Sequence, residues 1–302
     1  MKDFSDKNGT ANRRSHAPVV EKAVHGVFLI LGLITVGFVL LITVYLIAAG
    51  IPAIREIGIS EFLFGREWAS TNDPPKFGIL PFILTSVYGS AGALVIGVPV
   101  GFMTAVFIAK LAPPKVAAAF NRAVGLLAGI PSVVYGLVGM LVLVPFVRKV
   151  FGLADGSGLF SAIILLSVMI LPGVIKLSVT ALRAVPKEYE DASLALGATK
   201  IETCFRVSVP AAKSGIAAAA VLGAGRAIGE AMAVMMVSGN APRMPSLFES
   251  VRFLTTAVAS EMSYSSGLQR QALFSVALVL FLFIMLINAA LNILLKRGRK
   301  VK

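Results

Sequence analysis

Six stretches without charge, or nearly so, divide the chain: Ala23 to Ile54, Phe77 to Ala109, Ala123 to Val147, Gly156 to Ile175, Ser214 to Asn240 and Gln271 to Leu295. Only the fifth carries charged side chains, Arg226 and Glu230. About 20 apolar residues at ~1.5 Å rise each cross the hydrocarbon of a bilayer, so each stretch predicts one membrane-spanning helix. The first two are longer than one crossing needs, which predicts a tilt or an interfacial extension. Pro81 falls near the start of the second, where a proline suits a first helical turn.

Composition agrees with that pattern. Of 302 residues, 57% are hydrophobic and 14% charged, and the mean hydropathy is +0.87, far from a water-soluble domain. The fold class predicted is all-α, a polytopic membrane protein with six transmembrane helices. The division is 1–22 as a cytoplasmic tail expected to be disordered, 23–295 as the transmembrane domain, and 296–302 as a basic tail. A polar lead of roughly 22 residues and a long first stretch do not match a cleavable secretion signal, so none is expected.

The net charge of +13 acquires meaning by position. The two tails and the second and fourth loops hold 19 of the 28 basic residues and 7 acidic ones, whereas the other three loops hold 8 and 7. Basic loops stay inside, so both termini are predicted cytoplasmic. The positive charge is thereby explained by topology, and no nucleic-acid partner is expected. Cys204, the single cysteine, excludes an internal disulfide and a multi-cysteine metal site, and no metal is expected. Phe62, Phe64 and Trp68, in the outer loop from Arg55 to Lys76, are expected in the aromatic belt at the lipid headgroups.

The long inner loop, about 184–213, reads as helix, glycine corner, helix. Pro186 suits a first turn, Gly197 a left-handed helix end, and Thr199 with Glu202 stand at capping-box spacing, with Pro210 closing the second piece. Charges from Pro186 to Lys213 cancel. A loop made to bind anionic lipid would be basic, so this one suits docking to a protein.

Asp191-Ala192-Ser193-x-x-x-Gly197, followed after nine positions by Val207-x-Val209-Pro210, resembles the EAA signature of bacterial ABC importer permeases. Asp191 stands for the family's Glu, Ser193 for Ala, and Val207 and Val209 for Ile and Leu. The resemblance implies a type I ABC importer permease fold. It also implies that Asp191, Ala192, Ser193, Gly197, Val207 and Pro210 couple this chain to an ATPase subunit.

Arg226 and Glu230 sit deep in the fifth stretch, where a charge costs ~2.5 to 3.5 kcal/mol on insertion scales. Four residues apart on a continuous helix, they would share a face and be able to pair, with Gly223, Gly225 and Gly229 permitting close approach of a neighbour. One reading is a neutral structural bridge. The other is a guanidinium presenting forked donors to an anion in a pathway, with the glutamate holding it. Pro131 interrupts the third stretch, either as a packed kink or as a helix break that aims free backbone donors at an anion, which makes Ser132 a candidate pathway residue.

The segment Gly-x-Gly-Arg226-Ala-x-Gly-Glu230-x-Met-Ala-Val, with Ala128-Gly-Ile-Pro-Ser-Val-Val-Tyr-Gly136 and Phe77-Gly-Ile-Leu-Pro-Phe82, resembles the phosphate-specific permease pair of that family. Phe62-Leu-Phe-Gly-Arg-Glu-Trp68 is similar to the PstC-type subunit rather than the PstA-type. The resemblance runs from about Phe62 to the end of the fifth stretch. It implies a pore-forming subunit in a bacterial inner membrane and lends Arg226 and Glu230 a role in phosphate passage. The partners it implies are a PstA-type sister permease as heterodimer, two ATPase subunits and an extracytoplasmic phosphate-binding protein. No Walker A pattern occurs, so no cofactor is expected on this chain, ATP being used by a partner, and the chain is expected not to be an enzyme. A permease for sulfate or another oxyanion and a proton-coupled secondary transporter are the alternatives. A membrane-embedded enzyme would need a catalytic set inside the spans, and none is present in the sequence.

Overall fold

A computed structural model describes residues 17–300. The expectation of disorder in the tail falls, for residues 1–16, outside the described residues, as do residues 301 and 302 of the basic tail. Helix α1, Ala17–Ile57, is shared by two compact units, one ending at Leu46 and the other beginning at Ile47. In the first unit almost every side chain from Val24 to Leu46 is exposed and apolar, as a lipid-facing surface requires. Thr35 and Thr43 donate their hydroxyls to the carbonyls of Leu31 and Val39 at 2.9 and 2.7 Å. That contact satisfies a polar group without water.

The second unit continues from the end of α1 into α2, Ile59–Phe64, and a short antiparallel pair, β1 Trp68–Ala69 with β2 Lys76–Phe77. Next come α3, Leu80–Val106, which runs into a π turn at Phe107–Leu111, and α4, Pro114–Gly129. α5, Ser132–Val138, a π turn at Gly139–Leu143 and α6, Val144–Phe151, form one continuous rod. α7, Leu159–Arg183, leads into the 184–213 loop, which holds α8, Lys187–Ala195, α9, Lys200–Thr203, a π turn at Cys204–Ser208, and α10, Val209–Ala211. α11, Lys213–Gly229, α12, Met232–Val237, α13, Leu254–Glu261, and α14, Gly267–Lys300, complete the order.

Among the described residues, five helices are long and apolar enough to cross a membrane, and the pair Lys200–Ala211 and Lys213–Gly229, bent by 71°, makes a sixth when counted as one span. The third crossing is shifted from the expected 123–147 to Ser132–Phe151. Pro131 explains the shift: the residue before a proline is pushed to extended backbone, and Ile130 has ψ 126°. α4 is therefore a separate helix.

α3, α7 and α11 pack together at the centre of this unit. Close approach is possible because Gly97 of α3 faces α7: a Cβ there would lie 2.6 Å from Ile170 Cδ1 and 3.0 Å from the Ser167 carbonyl oxygen. Where lipid tails are as apolar as leucine, such small residues associate helices by contact rather than by hydrophobic exclusion. Leu166, Met169, Ile170 and Val174 of α7 form the buried middle with Val234 and Val237 of α12.

At the end remote from the 184–213 loop, the expectation for the aromatic residues is corrected. Phe62 and Trp68 are 0% and 6% exposed, whereas Phe64 alone is exposed, at 66%. Phe62 and Trp68 pack with Phe77, Ile79, Phe82, Leu254 and Leu273 into a cap. Trp68 meets Phe77 edge to face at 5.3 Å between ring centres. The two-stranded turn folds the Trp68 ring inward against that cluster.

Candidate functional site

Two breaks in otherwise apolar helices create the site. The first, at Ile130–Pro131, ends α4 and starts the rod at Ser132, with Pro131 at ψ 145°. It is bridged by Tyr135, whose hydroxyl donates to the Leu127 carbonyl at 2.8 Å. The second break separates α11 from α12. Gly229 ends α11, and Glu230 is extended, at φ −73° and ψ 131°.

Here the expected helical pair is corrected. Arg226 and Glu230 do not share a continuous helix, and neither belongs to an ion pair among the described residues. The Glu230 side chain instead turns forward and accepts from the Ala233 backbone N–H at 3.1 Å, capping α12, while Thr255 donates to the Glu230 carbonyl at 2.8 Å. The reason is local: a helix already weakened by Gly225 and Gly229 exposes orphan donors at its break, and a carboxylate beside them satisfies one. Arg226, in the last turn of α11, is left exposed.

The fold brings the two breaks together. A Cβ on Gly136 of α5 would lie 2.8 Å from both Ala233 Cα and Met236 Sδ of α12, and one on Gly139 would lie 2.8 Å from Val237 Cγ1. Contacts that advance in step on both helices mean that α5 and α12 run parallel. Their starts thus lie within about one helical turn, ~5 Å, of a common level. Ser132, half-buried, is the first residue of its rod. A free guanidinium, and backbone donors at the start of a 20-residue helix, form a setting for an anion.

The 184–213 loop folds as its sequence predicts at the corner. Gly197 has φ +88°, a conformation that a side chain disfavours. Thr199 and Glu202 make the full capping box, with the Thr199 N–H donating to Glu202 Oε2 at 2.9 Å and the Glu202 N–H donating to Thr199 Oγ1 at 3.3 Å. Pro210 does not end the second piece; the helical path passes through it in α10 and turns at Ala212. Asp191 and Ala192 are exposed on α8, Ser193 exchanges a hydrogen bond with Thr203 at 2.9 Å, and Val207 and Pro210 lie on the second piece, half-buried and exposed. Around the corner Leu196 is 90% exposed and Ile201 61%, an apolar tip of the kind that marks contact surfaces.

Two polar clusters escape the sequence reading. Lys110, in the π turn after α3, pairs with Glu190 of α8, whose carboxylate also accepts from Ser208 at 2.8 Å. Burial pushes the Glu190 carboxyl up, yet hydrogen bonds from Lys110 and Ser208 outweigh it and hold the group below the usual carboxylate range. In the cap, Glu261 pairs with Arg252 and accepts from Trp68 Nε1 and Gln269 Nε2, both at 3.1 Å. Each links residues too far apart in sequence for spacing to signal.

Residues 97–300 match the family described as binding-protein-dependent transport system inner membrane component. The chain is 39% identical over 265 residues to the probable ABC transporter permease protein YqgH of Bacillus subtilis (strain 168), covering 85% of this chain and 86% of that relative. It is 35% identical over 273 residues to phosphate transport system permease protein PstC 2 of Mycobacterium tuberculosis (strain ATCC 25618 / H37Rv), covering 83% and 84%. Among solved structures, the fold resembles the bacterial alginate ABC transporter, with TM-score 0.61, 16% identity and coverage of 95% and 97%. It also resembles the inward-facing MetNI methionine ABC transporter, with TM-score 0.55, 22% identity and coverage of 73% and 94%.

Proposed function

The chain belongs to the family of binding-protein-dependent transport system inner membrane components, and from that premise we propose that it is a pore-forming permease subunit of an ATP-driven importer of inorganic phosphate. The observation that carries the proposal is Arg226: a guanidinium on a broken, otherwise apolar span, exposed and without a carboxylate partner among the described residues. A forked donor in that position suits a tetrahedral oxyanion. Glu230 holds the break open by capping α12, and Ser132 stands at the facing helix start. The PstC relatives favour phosphate over sulfate.

In this reading the chain pairs with a PstA-type sister permease, receives phosphate from a binding protein outside, and keeps both termini in the cytoplasm. Two ATPase subunits dock on the 184–213 loop, whose exposed Leu196 and Ile201 supply an apolar contact beside Gly197. This chain binds no cofactor, and ATP is hydrolysed by the partner. Closure of the ATPases moves the loop, and the spans swing from an inward-open to an outward-facing arrangement.

The test is phosphate uptake into vesicles holding the whole complex. Arg226→Gln is expected to lower uptake at least tenfold while the complex still assembles. Arg226→Lys, which keeps the charge but loses the fork, is expected to retain an intermediate rate. Wild-type uptake by Arg226→Gln would remove the guanidinium from the pathway.

A further inference from the structure

α8 buries none of its side chains. The side-chain hydrogen bonds and ion pair that hold it are few: Ser193 with Thr203, and Glu190 with Ser208 and Lys110. The backbone carries any displacement of α8 to α7 through residues 184–186 and to α11 through the Gly197 corner and α9–α10. It offers no such route to α3, because Lys110 stands 80 residues earlier in the chain.

The second half of the loop reaches the end of α3 through a buried apolar cluster of Ala105, Val106, Ile108, Val185, Cys204 and Ala212, and the Glu190 carboxylate is what links α8 itself to that end. Lys110 belongs to the π turn Phe107–Leu111 and Ser208 to the π turn Cys204–Ser208, so one carboxylate joins two turns of a rare type that recurs at functional sites. Both partners are sheltered, with side chains 13% and 23% exposed, so salt screens the attraction little. Beyond Lys110, Ile108 packs with Val179 and Leu182 of α7, α3 packs along α7 through Gly97, and α7 meets α11 where Gly223 faces Val174. α11 ends in Arg226.

Resting on the permease reading above, we propose that the Lys110–Glu190 pair is the tie through which α8 drives the α3 span. Both are positioning residues for coupling, since neither lies at the helix breaks where the cargo passes. When an ATPase displaces α8, Glu190 draws Lys110 and the end of α3 with it, and the α3–α7–α11 group moves as one body. Without the tie, α8 rocks on its corner and less of its displacement reaches the group.

The experiment uses the complete complex, with sister permease, ATPase subunits and binding protein, in vesicles where phosphate uptake and ATP hydrolysis are measured together. Lys110→Met and Glu190→Gln are each expected to lower phosphate moved per ATP at least fivefold while assembly and hydrolysis persist. Lys110→Arg is expected to keep at least half of the wild-type ratio, and the exchange Lys110→Glu with Glu190→Lys to restore a comparable share. An unchanged ratio in both single variants overturns the proposal. So does loss of assembly in them, which would make the pair purely structural, or failure of both Lys110→Arg and the exchange to recover coupling. If the wild-type complex moves phosphate without ATP, the permease reading falls first and this proposal with it.

Discussion

Two glutamates at opposite ends of the second unit are held in nearly the same way and do different work. Glu261 accepts from Arg252, Trp68 and Gln269, and Glu190 accepts from Lys110 and Ser208. Around Glu261 lies an apolar cap with Phe62, Phe82, Leu254 and Leu273 fully buried. Around Glu190 lies a helix with no buried side chain and a cavity of about 200 Å³ lined by Lys110, Lys200, Thr203 and Cys204. Where a polar network rests on a packed core it adds to the stability of something already fixed. Where it is itself the attachment, it decides whether a mobile piece stays engaged.

That contrast breaks most visibly at Trp68. Trp68→Ala removes a ring from the cap and is expected to cost about 3–5 kcal/mol, seen as an earlier thermal transition of the purified protein in detergent. Copurification with an ATPase should not change, and a normal melt would show that the cap is not a core. Glu261→Gln comes next, at about 1–3 kcal/mol, because Arg252 loses its partner while both groups retain some solvent. The same melt measures it, and an effect equal to that of Trp68→Ala would reverse the ranking of core over network.

Gly197→Val tests the other end. A side chain at φ +88° costs roughly 1–2 kcal/mol locally. Since α8 lies outside the core, the global melt should hardly move while ATPase copurification weakens. A shifted melt with intact copurification would contradict the division of labour between the two ends.

The smallest effect is a dependence on pH. The Glu190 carboxyl is held below its ordinary range in the folded protein. Its contribution is therefore fully present above the unfolded value and is lost as pH falls through the depressed folded value. The groups facing it are Lys110, Ser208 and Cys204 from the π turns, Lys200 across the cavity, and Lys187 on its own helix. A spin label at Asp191→Cys in a Cys204→Ser background should gain mobility only on acidification below the usual carboxylate range. Glu190→Gln should remove that dependence, being mobile throughout.

The sequence announces what depends on neighbours along the chain. The apolar crossings, the Gly197 corner and the Thr199–Glu202 box all rest on composition or on spacings of a few residues, and the fold keeps the corner, the box and five of the crossings, the third of them shifted to Ser132–Phe151. The Arg226–Glu230 pair was legible as chemistry but not as geometry, because four-residue spacing means a shared face only on an unbroken helix. Gly229 was the available sign that the helix stops. Trp68 reads as an interfacial residue until Leu254 and Leu273, far along the chain, close over it. Lys110 and Glu190 are ordinary loop charges until the topology sets them side by side.

The bond from Glu230 to the Ala233 amide has one last consequence. With Glu230 engaged at α12 and no carboxylate paired to Arg226 among the described residues, the guanidinium of α11 is open to a counter-ion from solution. Under the proposed function, an arriving oxyanion supplies that counter-ion and settles the electrostatic debt of the idle subunit. Occupancy and thermal robustness should accordingly rise together as the solute is titrated into the purified assembly.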